Sequence, residues 1–184
     1  MVPSDEPNAW SRVFTAASKL AAGINALTGS RAADEAAAVA RLRTALRHFA
    51  TRREALVLVG SLPTEYTITL ADDLAWAADS EDTLLVRQAF GRLPRSQMEG
   101  IVPAAVWRQL ADSPDAEAYR RFAELLDHLG LDHALRELCE TALASVDEGI
   151  REVGEDFLNP GSAARQARPP SPWESHPAAN RPER

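Results

Sequence analysis

Lysine, cysteine and long apolar runs are what this chain has least of. Cys139 is the one cysteine among 184 residues. No disulfide can form within a monomer, which excludes a disulfide-stapled secreted scaffold. No apolar run approaches the roughly 20 residues that cross a bilayer. The opening MVPSDEPNAW has no basic region followed by an apolar core. Neither a membrane span nor a signal peptide is therefore expected, and the expected location is the cytoplasm. Lys19 is the one lysine among twenty basic residues. With the abundant alanine, this arginine bias points to a GC-rich bacterial genome. Chemical signatures are missing as well. There is no glycine-rich phosphate loop, no Ser-His-Asp pattern, no H-E-x-x-H and no C-x-x-C. The sequence therefore predicts no enzyme, no cofactor and no metal centre.

The charge present is mostly negative. The chain carries −7, and residues 159–184 contribute +2 through four arginines against two glutamates, so residues 1–158 carry −9. Such a body repels phosphate backbones, which disfavours nucleic acid as a partner. Half of the 12 prolines (Pro160, Pro169, Pro170, Pro172, Pro177 and Pro182) fall in the last 25 residues. That shift, without any apolar periodicity, predicts a disordered Pro/Arg-rich tail over 159–184. Residues 1–8 are expected to be disordered too, and 9–158 to form a single all-α domain.

Within that domain the apolar spacing is helical. Trp10, Val13, Phe14, Ala17, Leu20, Ala21, Ile24 and Leu27 form one stripe, stopped by Gly29. A second helix is expected from about Ala32 with the stripe Val39, Leu42, Leu46 and Phe49. The alanine-rich stretch 31–40 must pack closely or stay exposed. Residues 55–70 are ambiguous, because "ALVLV" and "YTITL" also read as a β-hairpin around "SLPTE".

An internal repeat favours helix there. "VGSLP" at 59–63 answers "FGRLP" at 90–94. Twelve residues separate each proline from a tryptophan, Trp76 and Trp107. Asp79, Ser80, Asp82 and Arg87 then match Asp112, Ser113, Asp115 and Arg120 at an offset of 33, and "ASVDEGIR" offers a fainter third copy with Asp147 and Arg151. The units read as helical hairpins. Their first helices carry the tryptophans, their acidic turns cap the second helices, and Leu-Pro ends those. "PRSQME" offers Ser96 and Glu99 as a capping box, and Pro103 predicts that its helix starts late or kinks. One hairpin cannot bury its apolar face alone, so copies must stack.

The acidic turns and their following arginines resemble the HEAT-like family of α-helical repeats over about residues 52–158. That resemblance implies an all-α fold: a right-handed stack of about three helical hairpins behind an N-terminal helical pair. It also implies a scaffold whose surface receives a protein partner.

Several residues invite chemical readings. Asp79/Asp82 and Asp112/Asp115 could share a cation, but no full calcium-loop spacing is present and helix caps with polar turns are the expected reading. Asp72 and Asp73 in "DDLAW" could bind a metal diphosphate, or lie on an exposed helix face. His128 and His133 are five apart, so no regular helix aligns them; with His48 and His176 they read as surface or helix-end histidines, and Cys139 reads as a buried inert thiol. Trp76 and Trp107 read as core. Arg87, Arg120 and Arg151 would form a ladder in a stack. That ladder either pairs with the acidic turns or offers a ridge to a partner. Trp173, preceded by Pro169 and Pro172, reads either as a tail anchor for a partner or a neighbouring subunit, or as a leftover in a tolerant tail. The function expected is a protein-binding adaptor whose partner bears basic patches, with a homodimer compatible with open terminal faces. The alternatives are a small helical regulator of the antitoxin or immunity type and a nucleic-acid-binding HEAT-like protein.

Overall fold

The computed structural model describes residues 32–78 and 82–158. The expected first helix over 10–27, the residues 1–8 and the tail 159–184 lie outside the described residues. Those described are all-helical, in nine helices. They are α1 (Ala32–Arg47), α2 (Phe49–Ser61), α3 (Thr64–Thr69), α4 (Ala71–Ala77), α5 (Thr83–Gly91), α6 (Arg95–Asp112), α7 (Ala116–His128), α8 (Asp132–Leu143) and α9 (Glu148–Leu158).

The ambiguous segment 55–70 is helical. "ALVLV" completes α2 and "YTIT" falls in α3. β-Branched residues lose only a few tenths of a kcal/mol in a helix, at most roughly 0.7 relative to alanine. Burial outweighs this: Leu56, Val59, Leu62 and Leu70 are each 0–1% exposed. Leu70 separates α3 from α4 with a turn-like backbone (φ −104°, ψ 14°), while its N–H still donates to Tyr66 O.

Burial follows the repeat. Val59 and Phe90 are fully buried, as are Leu62 and Leu93 almost entirely. On the following helices Ala71, Leu74 and Ala75 match the buried Val102, Ala105 and Val106. Each Leu-Pro ends one helix and opens the next. α2 stops at Ser61 and α5 at Gly91, with Pro63 and Pro94 standing as N-caps of α3 and α6. Proline is suited there because the first turn of a helix has no acceptor for its missing N–H.

Four expectations need correction. Phe49 does not extend the stripe of α1. That helix ends at Arg47, and Phe49 opens α2 at 84% exposed. The Ser96/Glu99 capping box does not form, because α6 begins at Arg95 and places Ser96 inside its first turn; Arg95 takes Glu99 instead, at 2.7 Å. Of the two outcomes expected at Pro103, the late start does not occur, since α6 runs from Arg95 through Pro103 to Asp112. Trp76 and Trp107 pack against the core only partly buried.

The helices pack mostly on near neighbours. α1 packs on α2 and α4, α4 on α6, and α2 on α5. At the other end α7, α8 and α9 pack on one another, the α8–α9 contact being the most extensive, and α6 joins α7. The 90–95 turn ties both parts. Arg92 donates back to Gly60 O at the end of α2, and Arg95 donates forward to Leu129 O (3.0 Å) and Gly130 O (2.6 Å) beyond α7. A cation on the last carbonyls of a helix satisfies them and complements the helix dipole. Gly130, at φ 65°, has the left-handed conformation that lets the chain turn from α7 into α8.

Burial pushes the Tyr66 phenol above its ordinary value of 10.0, and the negative charge of Glu35 adds to the shift. Folding therefore favours the protonated phenol. Its contribution is complete below the unfolded value and is lost as pH rises through the folded one. An alkaline absorbance titration should show a phenolate step above 10.0 that disappears in Tyr66→Phe. Stability should decline over that window more steeply in the wild type. Coincident titration curves for the two proteins would contradict this.

Candidate functional site

The three arginines expected to form a ladder lie on α5, α7 and α9. Arg87 on α5 reaches Glu124 on α7 at 3.7 Å. Arg120 on α7 reaches Asp156 on α9 at 3.0 Å. Arg151 on α9 turns to its own acidic turn, donating to Ser145 O (3.1 Å) and Val146 O (3.0 Å). The first two are cross-links between helices two apart in chain order, α5 to α7 and α7 to α9, and their acidic partners are themselves 32 residues apart. Glu124 and Asp156 are about half-exposed, so each pair adds at most about 1 kcal/mol. Trp173, Pro169 and Pro172 lie outside the described residues.

The acidic turns cap helices where the geometry is described. Asp115 Oδ1 accepts from Ala118 N at 2.7 Å, and Asp147 Oδ1 accepts from Ile150 N at 3.0 Å. Each cap contributes roughly 1 kcal/mol. Asp82 differs, since its carboxylate accepts from Arg53 on α2 at 2.9 Å. Asp79 and Ser80 fall in the gap between the described segments. Among the described residues, no group of three or more His, Cys, Asp and Glu side chains could hold a metal. His48, His128 and His133 are exposed, and Cys139 is fully buried on α8. His176 lies outside the described residues.

"DDLAW" forms a junction of a different kind. Its two carboxylates point to different helices. Asp72 accepts from Arg108 on α6 at 2.7 Å. Asp73 is buried, its side chain 3% exposed, and it accepts from Arg43 Nε at 2.9 Å and Arg47 Nε at 2.8 Å. The exposed-face expectation therefore fails for Asp73. One turn on, Trp76 lies beneath two guanidinium groups, Arg52 at 4.6 Å and Arg47 at 5.8 Å from its ring centre. The cluster joins α1, α2, α4 and α6, and satisfies a carboxylate that would otherwise be costly to bury. All its charges have protein partners, so it fits a structural junction better than a ligand site. Sequence reading recognised the acid pair but not its arginines, which stand 26 to 36 residues away.

The surface that remains is defined by charge. Residues 112–158, which carry α7, α8 and α9, hold thirteen carboxylates against four arginines, a net −9. Residues 1–111 sum to zero. Glu137 and Glu140 on α8 and Glu152 and Glu155 on α9 are all exposed. The apolar Leu143, the last residue of α8, is 39% exposed, and Val146, in the α8–α9 connection, is 99% exposed. An acidic surface with apolar points is suited to a basic protein surface, and electrostatic steering would speed the encounter. No helix among the described residues is long and apolar enough to cross a membrane. In comparison with known proteins, no family model matches this chain, and no curated protein or solved structure matches it either.

Proposed function

We propose that the protein is a non-enzymatic, HEAT-like adaptor, a short stack of helical hairpins whose acidic α7–α9 end receives a basic protein surface. The observation that carries this reading is the charge segregation, with a net −9 on residues 112–158 and a net zero on 1–111. The repeat is supported by the matched burial at Val59/Phe90 and Leu62/Leu93 and by the cross-links Arg87–Glu124 and Arg120–Asp156. Stacked hairpins give a rigid surface without needing a pocket. The same surface disfavours nucleic acid, whose phosphates it would repel.

The test uses immobilised full-length protein and the fourfold variant Glu137→Arg, Glu140→Arg, Glu152→Arg, Glu155→Arg in capture from a native extract. A stoichiometric protein partner should bind the wild type, and the purified pair should bind at least about tenfold more weakly in the variant, equivalent to about 1.4 kcal/mol. The four side chains are exposed, so helical content should be unchanged. Recovery of nucleic acid or a small molecule without protein would defeat the adaptor reading. A partner held equally by both proteins would move the site off the acidic end.

A further inference from the structure

Two corners of the fold hold an apolar side chain out to solvent on a backbone tied by hydrogen bonds. The first joins α1 to α2. Thr51 Oγ1 donates to Ala45 O at 3.0 Å and Arg52 Nε donates to Leu46 O at 3.1 Å, so the start of α2 satisfies carbonyls at the end of α1. Phe49 stands in this corner at 84% exposed. The second corner joins α8 to α9. Arg151 donates to Ser145 O and Val146 O, Ser145 Oγ accepts from Asp147 N at 3.1 Å, and Asp147 caps α9. Val146 stands in that turn at 99% exposed. A side chain whose backbone is already fixed loses little further entropy on docking.

The surroundings of the two corners are opposite in sign. Residues 41–61 hold five arginines against Glu54, a net +4. Asp73 and Asp82 accept from three of those arginines, which leaves a local +2 inside the net-zero stretch 1–111. Arg41 is exposed, has no ion-pair partner among the described residues, and lines one concavity with His48 and Thr51. Residues 137–156 hold seven carboxylates against one arginine, a net −6. Glu148, Glu152 and Glu155 follow Val146 on one face of α9, at spacings of four and three. All three are exposed, and none has an ion-pair partner among the described residues.

We propose that the basic surface received by the acidic end is the α1–α2 corner of a second copy of this chain, so that copies join head to tail. The proposal names the partner of the adaptor reading and rests on it. Charge complementarity selects this occupant, because each corner carries the sign the other lacks. The apolar points agree: Phe49 of one copy covers Leu143 and Val146 of the next, and three exposed side chains leave water together. Both corners stay exposed in the folded chain, so the contact is not made within one copy. The two surfaces differ, which makes the contact heterologous. Each joined pair keeps one free corner of each kind, and the assembly grows as a row.

Sedimentation of the full-length protein over a wide range of concentration tests it. The average mass should rise with concentration past that of a dimer, and rise less at high salt. One variant, Arg41→Glu with Phe49→Asp, disables the basic corner. Another, Val146→Ser with Glu152→Gln and Glu155→Gln, disables the acidic one. All five side chains are exposed, and none has an ion-pair partner among the described residues, so both variants should keep the wild-type helical content. Each alone should associate at least about tenfold more weakly than the wild type. Mixed in equal amounts, they should associate as strongly as the wild type yet stop at the dimer, because each supplies the corner the other lacks. A wild type that stays monomeric at every concentration would overturn the proposal. So would association that persists in both variants, or a mixture that associates no better than its parts. Each of these failures leaves the adaptor reading standing, since that reading is decided by capture from extract.

Discussion

Replacing Gly154 with leucine should lower stability by about 3 kcal/mol, the upper range for overpacking a tight interface. A Cβ at this position would stand 2.8 Å from Cys139 O, 3.0 Å from Leu143 Cγ and 3.1 Å from Leu143 N. Two of these atoms are backbone of α8 and cannot turn aside. Relief requires α9 to move away from α8 across the most extensive helix contact in the fold. Even Gly154→Ala should destabilise, although alanine favours a helix by about 1 kcal/mol over glycine. Gly100 supplies the opposite case. It lies exposed in α6, and a Cβ there meets nothing within 4 Å. Gly100→Ala should therefore stabilise by about 0.5–1 kcal/mol. Urea unfolding with unchanged m-values would show the two alanine variants moving in opposite directions. If both moved the same way, the close approach of α8 and α9 would be wrong.

Asp73→Ala should cost about 2–3 kcal/mol, below the 3–5 typical of a fully buried pair because the arginines keep access to water. The carboxylate is 3% exposed, while Arg43 and Arg47 are 49% and 53% exposed. Loss of the acid leaves two like charges side by side over the edge of α4, but neither becomes a stranded buried ion. Asp73→Asn keeps the shape and should cost less. The triple variant Asp73→Ala, Arg43→Ala, Arg47→Ala should cost less than the sum of its parts, because removing the cations relieves their repulsion. Strict additivity in chemical denaturation would show that the three groups do not act as a unit.

Different parts of this architecture were legible in the sequence to different degrees. Helix ends were clearest, because Leu-Pro and the acidic turns at Asp115 and Asp147 act through local backbone chemistry. The Thr-rich segment 64–70 was readable only through its repeat partner, since its β propensity was outweighed by burial of Tyr66 and Leu70. Phe49 misled because its spacing fits the stripe of α1, while the chain breaks at His48 and restarts the helical phase. Asp73 and Gly154 were not legible. An aspartate next to another reads as solvated, and a glycine inside a helix reads as a minor cost. Both meanings arise from partners on other helices, which no local pattern reports. The candidate site was least legible of all. The overall acidity and its concentration in residues 112–158 are both present in the sequence; what no local pattern reports is that this stretch folds into three helices packed on one another.

That segregation makes the protein a patchy particle in the colloidal sense. At about 0.1 M salt the screening length is about 10 Å, shorter than a single helix such as α6, whose 18 residues span about 27 Å. A charged body near the α1 end therefore senses almost none of the −9 carried by residues 112–158. Two copies approaching through their charged caps repel, while approach through the neutral caps meets no such barrier. Orientation, and not affinity alone, is thereby selected before any contact forms. Raising the salt would erase this anisotropy and leave the packing of every helix unchanged.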